Sequence, residues 1–91
     1  MTDQPAASAE EAIPEELTIT FRKEIVHATQ TFTHIMLHEP TAGQWEEWDK
    51  LEGVAASRKA IATIAAVPEA VIKQMLVRDF RQATAYLNRF F

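Results

Sequence analysis

Hydrophobic and polar positions change rhythm twice along this chain. From Leu17, the stretch LTITFRK alternates, with Leu17, Ile19 and Phe21 on one face and Thr18, Thr20 and Arg22 on the other. A period of two in a segment rich in β-branched and aromatic residues predicts a strand. TFTHIML repeats the alternation and sets Thr33, Ile35 and Leu37 against Phe32, His34 and Met36. The intervening EIVHATQ has no Gly, Asn or Pro to specify a tight turn. The pattern therefore predicts a hairpin over about 17–38 whose connection is left open. Apolar residues on both faces of the second strand predict a sheet covered on one side and partly protected on the other.

After Pro40 the period lengthens. Thr41 reads as a helix N-cap, Gln44 completes a capping box, and Pro40 and Trp45 take the two positions of a hydrophobic staple. Trp45, Trp48 and Leu51 then fall within an arc of about 120° at 100° per residue. This predicts a helix over about 42–52 that turns those three side chains to the core and Glu46, Glu47, Asp49 and Lys50 elsewhere, with Gly53 as its stop. VAASRKAIATIAA predicts a second helix over about 55–66, with Val54, Ile61, Ile64 and Ala65 on one side and Arg58 and Lys59 toward the other. Pro68 suits a first helical position and Glu69 the positive end of the dipole, which opens a third helix over about 68–76. Asp79 and Gln82 form another capping-box pair and start a last helix over about 80–90, with a break near Arg78. A single helix over 68–91 is the alternative, because no Gly or Pro separates the two. The expected fold is α+β: an N-terminal β-hairpin packed against three or four short α-helices.

The last helix has an unusually wide apolar face. Phe80, Ala83, Thr84, Leu87 and Phe91 cluster, and Tyr86 and Phe90 widen the arc to about 160°, against the roughly 100° of a one-sided helix. Either this face completes the core, or part of it stays open for another protein or a second copy. On the second reading Phe80, Tyr86, Leu87, Phe90 and Phe91 are the partner-binding residues. Pro40, Thr41, Gln44, Trp45, Trp48, Leu51 and Asp79 have structural roles as cap, staple and core.

Composition changes this picture at the N-terminus. Residues 1–16 hold two prolines, five acidic residues and no Lys or Arg, with Ile13 as the one large branched apolar side chain. Such a stretch buries too little to offset its ordering entropy, so 1–16 is expected to be a disordered acidic tail and 17–91 the folded domain. Of the 13 acidic residues five lie in that tail, so the domain carries 8 acids against 9 bases and is close to neutral. Cysteine is absent, which excludes disulfide and thiolate-metal scaffolds. No basic start with an apolar run suggests a secretory signal, and no stretch approaches the roughly 20 apolar residues a membrane helix needs, so a cytoplasmic protein without membrane partners is expected. Below about 80 residues a single core supplies only ~3–5 kcal/mol, which favours self-association or a partner.

Chemistry finds little footing. His34 and His38 share a strand face but lie four residues apart, about 13 Å, too far to hold one metal. His27 has no evident partner, and the carboxylates Glu46, Glu47, Asp49 and Glu52 read as a solvated face. With only Gly43 and Gly53 there is no phosphate-binding loop. No catalytic, metal or cofactor site is expected. Lys73, Arg78, Arg81 and Arg89 cluster near the C-terminus, and a short helix before a longer one permits a helix-turn-helix reading. Against it, the domain is nearly neutral and the would-be recognition helix is loaded with phenylalanine. A small DNA-binding or regulatory module is the runner-up, and a structural homo-oligomer a third reading; nucleic acid is not an expected partner.

LTITFRKEI, then FTHIMLHEPTAGQWEEWDKLEG, then IATIAAVPEAVIKQMLVRDFRQATAYLNRFF resembles, in order and spacing, the phage tail assembly chaperone family of contractile-tailed, Mu-type bacteriophages and prophages. The resemblance spans about 17–91. It rests on a strand ending in Leu-x-x-Pro-Thr (Leu37 to Thr41), the acidic amphipathic helix behind it, a Val-Pro-Glu helix start and Asp79 opening the final helix. It implies a non-enzymatic assembly factor of the bacterial host cytoplasm, absent from the mature virion. Its implied partners are the tape measure protein, which it keeps soluble, and the tail-tube protein, with homo-oligomers a further option.

Overall fold

In the computed structural model, which describes residues 13–91, strands β1 (Glu16–His27) and β2 (Gln30–His38) pair antiparallel around a two-residue turn. Ala28 and Thr29 both adopt positive φ, 51° and 67°, as a type I′ hairpin turn requires. Neither is Gly or Asn, so the turn carries no sequence cue. The supposed open connection is mostly strand: Ile25 pairs with Phe32 and His27 with Gln30.

The ladder slips once. Thr20 faces His34 and Ile25 faces Phe32, so residues 21–24 of β1 oppose Thr33 alone. An odd offset of three reverses the parity of pairing beyond the bulge. Ile25 and Phe32 therefore meet on the face that carries Ile19 and Ile35; Phe32 borders the core, and Thr33 turns outward. Strict alternation placed Phe32 on the outer face, and the bulge corrects it. The outer face, with Thr18, Thr20, His34 and Met36, is exposed rather than partly protected.

Four helices follow among the described residues: α1 (Ala42–Trp45), α2 (Gly53–Ala65), α3 (Glu69–Lys73) and α4 (Val77–Asn88). The Thr41–Gln44 capping box is present in both directions, with the Gln44 amide donating to the Thr41 hydroxyl at 3.1 Å and the Thr41 amide to the Gln44 side chain at 3.0 Å. Yet α1 is a single turn, not a helix to residue 52. Continued that far, it would set Asp49 and Glu52 in its last turn, against the negative end of its own dipole. The backbone instead tightens into i→i−3 bonds, Glu47 to Gln44 and Trp48 to Trp45. Of the three side chains expected inward only Trp48 is buried (7% exposed), while Trp45 and Leu51 are each 43% exposed. The ring contact of Trp45 is with Phe91, centroids 5.5 Å apart.

Helix α2 buries Ile61 and Ile64 and ends on Ala66, left-handed at φ 59°, where the Val67 amide closes on the Ala62 carbonyl at 3.1 Å. Val54, expected on its inner side, is exposed. Helix α4 starts at Val77 behind Leu76, which makes no side-chain cap bond, so the Asp79–Gln82 capping box does not form. Asp79 lies in the first turn with its carboxylate engaged elsewhere.

The core lies between the inner hairpin face (Ile19, Phe21, Ile25, Ile35, Leu37) and Trp48, Ile61, Ile64, Val71, Ile72, Ala83, Tyr86 and Leu87. This is the α+β hairpin-on-helices arrangement. The domain begins earlier than expected. Ile13 packs against the core, and the Tyr86 hydroxyl donates to the Pro14 carbonyl at 2.6 Å, so residues 13–16 are part of the fold. The rest of the expected tail, 1–12, lies outside the described residues.

Candidate functional site

Two polar ties, each made at the start of a helix, shape the surface that could meet a partner. The first is Asp79, 4% exposed. Its carboxylate accepts the Arg22 backbone N–H at 2.9 Å and faces the Arg22 guanidinium Nε at 3.5 Å. Arg22 sits in the bulge, where the ladder offers no partner, so a side chain from α4 satisfies the freed amide. This fixes the first turn of α4 against β1. A second tie, Arg58 to Glu69 at 3.0 Å with Lys59 at 3.7 Å, joins α2 to the start of α3. The Arg58 hydrogen bond, more than any other influence, lowers the pKa of Glu69 from its usual 4.5.

The wide face of α4 is largely consumed. Tyr86 and Leu87 are buried in the core, which removes them from any exposed patch. Phe90 stacks edge-on against Tyr86, centroids 5.3 Å apart, and is half-buried. Phe91 is exposed and lies against Trp45. Phe80 is half-buried at the edge of the core. The expected five-residue patch is thus split. Burial raises the Tyr86 pKa above its usual 10.0, and the negative charges of Glu16 and Glu39 add to the effect.

What remains open is a groove between α2, α3 and α4. One hollow of about 320 Å³ is lined by Val54, Arg58, Ile72, Lys73, Met75, Val77 and Phe80. A second, of about 470 Å³, runs along α4 past Arg81, Thr84, Ala85 and Asn88. Val54, Val77 and Phe80 line both, so the two hollows meet there. Val54 and Val77 are 66% and 64% exposed. Neither was visible as a surface residue: Val54 keeps the helical spacing of the core positions of α2, and Val77 precedes the point where α4 was expected to start.

The His34 ring meets the Thr33 hydroxyl, and the His38 ring the Glu39 carbonyl, at 3.0 and 2.9 Å. Among the described residues no group of three or more His, Cys, Asp or Glu side chains is placed to hold a metal, and no helix is long and apolar enough to cross a membrane.

Fold and surface together define a small α+β domain with an apolar, cation-edged groove. A family model described as phage tail assembly chaperone proteins, E, or 41 or 14, matches residues 18–91. The chain belongs to that family. No curated protein and no solved structure matches it.

Proposed function

We propose that this chain binds the tape measure protein of its phage, keeps that protein soluble in the host cytoplasm and assists tail-tube assembly without entering the mature virion. The family match across residues 18–91 carries this assignment. Tail-tube protein is a second partner, met while the tape measure is held. The role is non-catalytic. The groove supports it physically, since an open apolar channel between helices suits the helix-in-groove mode of recognition.

The test is co-expression of the full chain with the tape measure protein of the same phage. The tape measure protein is expected to move from the insoluble to the soluble fraction and to co-elute with the chain. An equally insoluble tape measure protein with and without the chain would refute the assignment. Salt-sensitive retention of the chain on DNA under the same conditions would instead favour a nucleic-acid module.

A further inference from the structure

We infer that the α2–α3–α4 groove is a docking site for a partner helix whose apolar stripe is flanked by acidic side chains. The floor is apolar, with Ile72, Met75 and Phe80 below the exposed Val54 and Val77. Every charged residue lining the two hollows is a cation: Arg58, Lys73 and Arg81. Arg58 is committed to Glu69. Lys73 and Arg81 are exposed and form no ion pair among the described residues. They border different hollows, Lys73 on the α3 side and Arg81 along α4. A helix lying in the groove would therefore meet positive charge at two separate points and apolar side chains between them.

The dimensions fit. From Val77 to Asn88 helix α4 rises about 16 Å, roughly three turns, which accommodates anchors at i, i+3, i+4 and i+7. A lysine-flanked stripe would bring like charges together in a groove that holds no lining carboxylate, so charge selects the partner as well as attracting it. This deepens the proposed function by naming the chemistry of the segment it would take, and rests on that proposal only for the identity of the natural partner.

The experiment uses the full chain and two synthetic helical peptides with identical leucine stripes, one flanked by glutamates and one by lysines, with binding read by fluorescence anisotropy. The glutamate peptide is expected to bind at least about tenfold more tightly, with the margin shrinking as salt rises. Val77→Glu is expected to weaken that peptide by about tenfold or more. Its carboxylate sits in the first turn of α4, where the dipole favours it, so loss of binding is not loss of fold. Val26→Glu, a matched change on the exposed hairpin tip, should leave binding unchanged. Equal binding of both peptides, or no effect of Val77→Glu, overturns the inference. Self-association of the wild-type chain that Val77→Glu abolishes also overturns it, because a second copy would then occupy the groove. If Val77→Glu loses the peptide yet still solubilises the tape measure protein, the groove is not where that protein binds, and the family role stands without it.

Discussion

Replacing Asp79 tests whether one carboxylate joins the two layers of this fold. Asp79→Ala removes three things. The hydrogen bond from the Arg22 amide, made to a charged acceptor, contributes about 1.5–3 kcal/mol. The ion pair with Arg22 contributes ~0.2–1 kcal/mol at most, because the Arg22 side chain is 55% exposed and screened. The favourable placement of an acid in the first turn of α4 adds about 0.3–1 kcal/mol. Contributions of neighbouring groups do not add fully, so about 2–4 kcal/mol is the expected loss. For a domain of this length, whose whole stability is ~4–10 kcal/mol, that is a large share.

Two companion variants separate the causes. Asp79→Asn keeps an oxygen that can accept from the Arg22 amide and loses only the charge, so about 1–2 kcal/mol is expected. Arg22→Ala keeps the backbone N–H and loses only the exposed ion pair, so less than ~1 kcal/mol is expected. Urea denaturation followed by tryptophan fluorescence gives the three values, and hydrogen exchange at the Arg22 amide gives a local check. Protection there should fall in Asp79→Ala and survive in Arg22→Ala. If Arg22→Ala costs as much as Asp79→Ala, the side-chain pair and not the bulge amide is what holds α4 to β1.

The two tryptophans should differ sharply. Trp48→Ala is expected to cost about 3–5 kcal/mol, and Trp45→Ala no more than ~1.5 kcal/mol from the lost Phe91 contact, both by denaturant melts; equal costs would contradict the burial difference. At the hairpin turn, Ala28→Asn with Thr29→Gly supplies residues that tolerate positive φ and should stabilise the domain by about 1–2 kcal/mol, raising the melting temperature; a lower one would mean the turn does not hold that conformation. Tyr86 is the single tyrosine, so its ionisation can be followed alone by ultraviolet absorbance. Its raised pKa means that the stability it contributes is complete below the unfolded value near 10 and is lost as pH rises through the folded value. The folded midpoint should lie above that of the urea-unfolded chain, and a midpoint at or below it would contradict the burial of the Tyr86 side chain.

Most of the fold was legible where a single local pattern governs it. The hairpin followed from the alternation of Leu17–Phe21, the α1 cap from Thr41 and Gln44, and the α+β class from the change of period between them. What escaped depended on partners distant in sequence. The bulge at residues 21–24 is stabilised by a carboxylate 57 positions away, so no window of the sequence contains both halves of it. The same carboxylate looked like a cap because Asp-x-x-Gln is a valid local signal, and tertiary context assigned it to another element. The order of Ile13 and Pro14 depends in turn on Tyr86, at the far end of the chain.

The open surface of α4 was hard to read from sequence for a related physical reason. A wide apolar arc on α4 was visible, but periodicity cannot tell how much of an arc the rest of the chain will cover. The N-terminal residues and Trp45 cover it from two sides: Pro14 takes the Tyr86 hydroxyl, and Trp45 meets Phe91. Each contact removes surface from one side of α4 near its C-terminal end and leaves the side that runs from Val77 to Asn88 open to the groove. The first turn of that helix is also the part tied to the hairpin through Asp79. A partner pressing into the groove at Val77 and Phe80 would load the same helical turn that Asp79 holds against Arg22. Asp79→Ala should therefore weaken peptide binding in proportion to how far it frees that turn.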